Sequence, residues 1–461
     1  MAARTIAMAA PLETVRDLLG AQLRAVGVER LYATGAALVD LHADGVVGDP
    51  FPGVEVELVA EAEVASALAD AAGRLHPSAG AGAALLPGQM LRLTSAPGAR
   101  VDAVTIDEVE QLPATLAAWS IGVVHTSVDF VLHVDLDQPL PAGLLPLQLG
   151  LSAEAGVHAV TLDPGLAEMG IVLLAGPGVA RAGIEAVEAL HRFAARVGAG
   201  VVNTWGAKGL YRWNNPHHHG TVGLQARDFE LAGLLDGRIV IAVGIDPLEA
   251  PDELWRSGRV IDVSADQLDF LAVRWPDGPP PPVDPPPALF ALLRDALEPL
   301  YASEASPLTP AKAASDLDQL RPDGALVVAD PGPAGLWVAR TLPTTELGSV
   351  IVPATNTKGF AAAGAVVAGQ RGRKAIGVIT DPIDPVTAAV LDHAASRGIG
   401  VVLEVWGADA AIANAAARRE QLMGALARPK EIHVLPVPVD FALTRTLVEI
   451  AGEVIAWQGP R

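Results

Sequence analysis

Short, almost continuously apolar runs bounded by glycine set the strongest limit on how this chain folds. Ile171–Leu174, Gly200–Asn203 and Ile239–Val243 are too short for helices and lack the alternation of a strand with one wet face. That pattern belongs to strands buried on both sides, as in a parallel sheet covered by helices. Ile184–Val197 lies between the first two runs with helical length and period, and Val260–Val263 reads as a further strand. The same alternation flanks this stretch. On the N-terminal side, Thr14–Val26 and Glu61–Leu75 read as helices, and Arg30–Ala33, Val54–Leu58 and Val128–Val134 as strands. On the C-terminal side, Ala325–Ala329, Ser349–Val352, Ala375–Ile379 and Gly400–Val405 read as strands, with Ala361–Gly369 and Pro385–Arg397 as helices. Proline-rich breaks at Pro139–Pro146 and Trp275–Pro287 act as extended spacers. The expected fold is therefore α/β, with three consecutive doubly wound parallel-sheet domains over 1–138, 147–274 and 288–461.

Composition narrows the function classes. With 51% apolar residues in 461, each domain can bury its own core. A net charge of -21 argues against nucleic-acid binding, which needs a basic surface. The absence of cysteine removes disulfides, thiolate metal sites and cysteine nucleophiles. No secretory signal is read at the N-terminus, and no apolar stretch of about 18 residues runs unbroken. A cytoplasmic protein without a membrane span is expected.

Three groups of residues carry candidate chemistry. Ile171–Gly178 (IVLLAGPG) is a strand running into a glycine turn, a layout that aims a helix N-terminus at a phosphate. Gly176 and Gly178, with Thr204, Lys208 and His217 on the later loop, are the candidate contacts for a nucleotide-like ligand in the central domain. The His217-His218-His219 run cannot direct three consecutive rings at one ion. Asp381, Asp384 and Asp392 are close in sequence, but Asp384 precedes Pro385 and reads as a helix N-cap.

Several motifs resemble the thiamine-diphosphate (ThDP) enzymes related to acetolactate synthase and 2-hydroxyacyl-CoA lyase. In the middle these are the AGPG turn, Thr204 with Lys208-Gly209, and His217 with Gly220 and Gly223. Gly27–Gly35 (GVERLYATG) resembles the family's opening, and Glu61–Leu75 resembles the helix that carries its essential glutamate. The resemblance implies a pyrimidine-binding, a central and a pyrophosphate-binding domain, with the cofactor held between subunits. It makes Glu63, with Glu61 as the alternative, the residue that activates the cofactor's aminopyrimidine. It places Gly35, Gly359 and Asp381 at the cofactor and makes Asp381 and Asp409 ligands of a Mg ion. It also implies a homo-oligomer or a partnership with an intact paralogue.

The chain departs from the family pattern where that family does its chemistry. Thr94–Gly98 (TSAPG) resembles a cofactor loop but lies too near the end of a shortened first domain. Gly-Asp-Gly becomes Thr380-Asp381-Pro382, and Val405–Asp409 stands where an Asn pair is expected. The sequence thus implies a divergent relative that has lost cofactor binding and acts as a binding, regulatory or assembly protein. The alternative is an active ThDP- and Mg-dependent lyase, decarboxylase or carboligase acting on a 2-oxo acid or 2-hydroxyacyl substrate.

Overall fold

A computed structural model describes residues 12–41, 50–75, 81–94, 101–121, 127–147, 170–265, 267–275 and 281–458. Most of the TSAPG match and part of the second proline-rich spacer lie outside the described residues. Within them the chain builds three sheets flanked by helices, and no helix is long and apolar enough to cross a membrane.

The first sheet contains β1 (Arg30–Thr34), β2 (Glu55–Val59), β3 (Gly82–Leu86), β4 (Met90–Thr94), β5 (Val101–Ile106) and β6 (Val128–Leu132), in the order β2-β1-β3-β4-β6-β5. The expected α/β class holds, with one refinement. β4 runs antiparallel to both neighbours, because β3 turns back as a hairpin. The hairpin lies directly on helix Ala62–Arg74. A Cβ at Gly82 would sit 1.7 Å from the Ala69 carbonyl oxygen, and one at Gly73 would sit 2.1 Å from that of Thr94.

The middle sheet contains β7 (Ile171–Ala175), β8 (Gly200–Thr204), β9 (His218–Val222), β10 (Ile239–Val243) and β11 (Arg259–Val263), all parallel, in the order β11-β10-β7-β8-β9. Ile239, Val240, Ile241 and Val243 have no exposed surface. Burial of such side chains stabilises by about 1.5–3 kcal/mol each. The third sheet contains β12 (Leu326–Ala329), β13 (Val350–Ile351), β14 (Ala375–Thr380), β15 (Val401–Trp406) and β16 (Ile432–Val437), again all parallel, in the order β13-β12-β14-β15-β16. Two edge strands escape the apolar-run criterion. β9 opens on His-His-Gly, and β16 is half-exposed along most of its length.

The third segment is the hub. One apolar core joins it to the middle segment through residues such as Trp205, Leu224, Leu308 and Trp337. Another joins it to the first through Val64, Leu68, Phe360 and Val390. Polar groups lock the latter boundary. The buried Glu57 carboxylate on β2 pairs with His393 Nε2 at 2.6 Å and accepts from Gln370 Nε2 at 3.0 and 2.9 Å. Burial pushes the Glu57 carboxyl up, but His393 and Arg30 outweigh it and the net shift is downward.

Candidate functional site

In open parallel sheets, ligands bind beyond the C-terminal ends of the strands where the strand order reverses. Two such crevices follow from the topology. In the middle sheet the reversal lies between β7 and β10; in the third it lies between β12 and β14.

The middle crevice is closed by backbone. Gly176 N–H donates to the Val243 carbonyl and Gly178 N–H to that of Gly244, both at 2.9 Å. A Cβ on Gly176 would lie 2.1 Å from the Gly244 oxygen, and one on Gly178 would lie 2.7 Å from the Gly244 Cα. The glycines of the AGPG turn thus let two loops meet. Thr204, at the end of β8, donates its hydroxyl to the Glu249 carboxyl, which also accepts from Gly206 N–H at 3.0 Å. Glu249 is fully buried; burial, with the nearby Asp246 charge, lifts its pKa to about 8.

The structure divides the expected central-domain contacts. Gly176, Gly178 and Thr204 share the C-terminal edge of β7 and β8. His217 precedes β9 at the opposite edge, where its Nδ1 lies 2.7 Å from the Ala199 carbonyl oxygen. Lys208 lies within electrostatic reach of Arg340 and Asp318 in the third segment.

The third crevice is closed by side chains. Three helices begin at this edge: Pro333–Thr341, Phe360–Gln370 and Pro385–Arg397. Each leaves N–H groups without helical partners, and such groups attract anions. Thr380 Oγ1 accepts from Ala334 N–H at 3.0 Å. Asp330 Oδ1 accepts from Ala361 N–H at 2.6 Å. Asp384 Oδ1 accepts from Val386 and Thr387 N–H at 2.9 and 3.1 Å. Asp330 is 9% exposed, and its carboxyl is lifted to about 7, by burial first and then, against its bond to Ala361, by the Asp384 charge.

Asp381 and Asp409 share this edge, since Asp381 N–H donates to the Trp406 carbonyl at 2.9 Å and both side chains are exposed. Gly359 opens helix Phe360–Gln370 with φ +69, and a Cβ there would stand 3.0 Å from Val386 Cγ1. Among the described residues no three His, Asp or Glu side chains gather as a metal site. On the first sheet, Thr34 pairs with Val59, so Gly35 and Glu61 follow adjacent strand ends. Glu61 and Glu63 are exposed at the start of helix Ala62–Arg74, Glu61 as its N-cap residue without a side-chain cap. The sequence reading passed over Asp330, Thr380 as a cap, and the Asp246–Glu249 pair. An Asp placed between an apolar strand and Pro-Gly-Pro was the signal for Asp330.

Residues 168–278 match the family model for the thiamine pyrophosphate enzyme central domain. The match covers the middle segment, and the fold of the whole chain is similar to that of solved thiamine diphosphate-dependent enzymes. A protein from Mycobacterium smegmatis assigned to the thiamin diphosphate-dependent enzymes superposes with a TM-score of 0.62 at 18% identity, over 92% of this chain and 99% of that one. The thiamine diphosphate-dependent 4-hydroxybenzoylformate decarboxylase of Rhodococcus jostii RHA1 superposes with a TM-score of 0.63 at 16% identity, over 93% of this chain and 99% of that one. No curated protein sequence matches. The closed crevices and the exposed glutamates stand on a fold similar to that of these two solved structures.

Proposed function

We propose that this ThDP-enzyme homologue has given up cofactor binding and serves as a binding, regulatory or assembly protein. The observation that carries the reading is the self-capping of the third crevice. A diphosphate held at such an edge needs free N–H donors and a cation to bridge it. Here Asp330, Thr380 and Asp384 already occupy the helix N-termini. Pro382 follows Asp381 and contributes no N–H. Asp330, Asp381, Asp384 and Asp409 add carboxylates where a diphosphate would bring further negative charge. These residues do not fit a diphosphate with its metal, so no catalytic step is derived through one. A second copy of the chain, or a paralogue with an intact site, is the partner this reading calls for, in the cytoplasm. A nucleotide-like ligand in the middle segment would need the Gly176–Gly244 contact to open.

One observation favours the alternative of an active lyase, decarboxylase or carboligase. The chain covers 99% of a solved thiamine diphosphate-dependent decarboxylase without losing any of the three sheets. Calorimetric titration of the protein with ThDP and Mg separates the readings. The proposal expects no saturable heat at about 1 mM cofactor, a free energy weaker than about -4 kcal/mol. Saturable micromolar binding that disappears in Asp381→Ala would overturn it and establish Asp381 as a ligand.

A further inference from the structure

Buried polar groups in folded proteins almost always find partners, and those that do not call for an explanation. Two such groups and a buried lysine lie on elements that meet where the middle segment joins the third. Lys208 is 7% exposed, and its amine has no hydrogen bond or ion pair among the described residues. His218, 9% exposed, leaves Nδ1 without a partner, and Arg340, 7% exposed, leaves Nε without one. The elements that carry them touch. His218 opens β9, and the Thr221 carbonyl on that strand accepts from Arg340 Nη1 at 2.6 Å. Beyond Lys208 the loop is held by Thr344 Oγ1, which donates to the Tyr211 carbonyl at 3.3 Å. Lys208 is within electrostatic reach of both His218 and Arg340.

The charges around the amine do not balance it. Arg340 directs Nη2 at Asp228, 2.7 Å away, so that pair is closed. Asp318 is within electrostatic reach of Lys208 but makes no hydrogen bond to it; its oxygens accept from Arg321 Nε at 3.0 Å and from Thr345 Oγ1 at 2.7 Å. What remains is a lysine amine, a guanidinium Nε–H and an imidazole nitrogen, which donates in the Nδ1–H tautomer. Among the described residues none of the three has a hydrogen-bond acceptor.

We propose that Lys208, Arg340 and His218 form a buried receptor for a small carboxylate or similar singly charged oxyanion, apart from both crevices and independent of whether a cofactor binds. The oxygens of such an anion are the acceptors these groups lack, and hydrogen bonds to a charged acceptor are the strong ones. Asp318 also lines a cleft of about 320 Å³ with Arg212, Gln319, Arg321, Thr345 and Glu346. Burial, with the Arg340 charge, lowers the Lys208 pKa to about 7, and a bound anion reverses that shift. Binding therefore takes up a proton.

Calorimetry of the full chain with sodium acetate tests the proposal, run at about pH 6 and 8 in buffers of different ionisation heat. Saturable binding is expected, with proton uptake and affinity roughly tenfold weaker at the higher pH, because only the protonated fraction is competent. Lys208→Met should abolish binding and raise the melting temperature. Lys208→Arg should bind with little pH dependence, which keeps the test decisive should Lys208→Met fail to fold. The absence of saturable acetate heat, or equal binding by wild type and Lys208→Met, would overturn the site. Sodium chloride binding with the same affinity and the same dependence on Lys208 would overturn the oxyanion assignment.

Discussion

The middle and third crevices arise from the same topology and are closed by different means. In the middle sheet two glycines let the loops after β7 and β10 come into backbone contact, so no room remains for a side chain. In the third sheet Asp330, Thr380 and Asp384 take the helix N–H groups that an anion would otherwise seek. Steric closure fails abruptly when one methyl group is added. Electrostatic closure depends on protonation and yields by degrees. A framework suited to anion binding can thus be closed by packing or by internal carboxylates, and the two respond to different perturbations.

The largest expected effect falls on the packed crevice. Gly176→Val places side-chain carbon where the Gly244 oxygen stands, 2.1 Å from an ideal Cβ. A loss of roughly 3 kcal/mol or more is expected, read by urea denaturation as an early transition. Near wild-type stability would mean that the loops separate easily and that the contrast is false.

The carboxyl-closed crevice should respond to pH instead. Asp330 has its folded pKa raised from 3.8 to about 7, so its contribution is complete below about pH 4 and is lost as pH rises through about 7. Asp330→Asn should remove that dependence, with the wild type losing on the order of a few kcal/mol relative to the variant between about pH 4 and 8. Glu249, raised from 4.5 to about 8, brings the same sign to the middle segment over a window that ends higher. In Glu249→Gln the comparison should reach about pH 9 before it levels. Parallel melting curves for wild type and either variant across these windows would refute the assignment. The smallest effect belongs to Glu61→Ala and Glu63→Ala. Both side chains are exposed, and a shift within about 0.5 kcal/mol in thermal unfolding is expected. A larger loss would place one of them in an interface.

The sheets were legible to different degrees. β7, β8 and β10 showed as glycine-bounded apolar runs because strands covered on both faces have no polar positions to interrupt them. Helices Ile184–Val197 and Pro385–Arg397 appear with the expected limits, and Asp384 caps the second as its position before Pro385 implied. β9 was hidden because it begins with two histidines and a glycine. The β3–β4 hairpin was hidden because the first segment departs there from the three-domain pattern that guided its reading. Among the site residues, Asp381 and Asp409, to which the family resemblance pointed, follow neighbouring strands β14 and β15. The partners of Lys208 were not legible. His218 and Arg340 lie 10 and 132 positions further along the chain.

By itself, the sequence determined the features that depend on near neighbours: the alternation of buried strands and helices, the Asp384 cap, and a third crevice with proline where a glycine was expected. Tertiary structure alone decided which buried polar group meets which. Asp330 caps a helix that starts 30 residues later, Gly176 closes on Gly244, and Lys208 is left between Arg340 and His218 without an acceptor. Local preferences act over one helical turn or two strand positions, so a single chain displays them. Hydrogen-bond and charge compensation in a core act over a few ångströms of space, and the chain shows those distances only once folded.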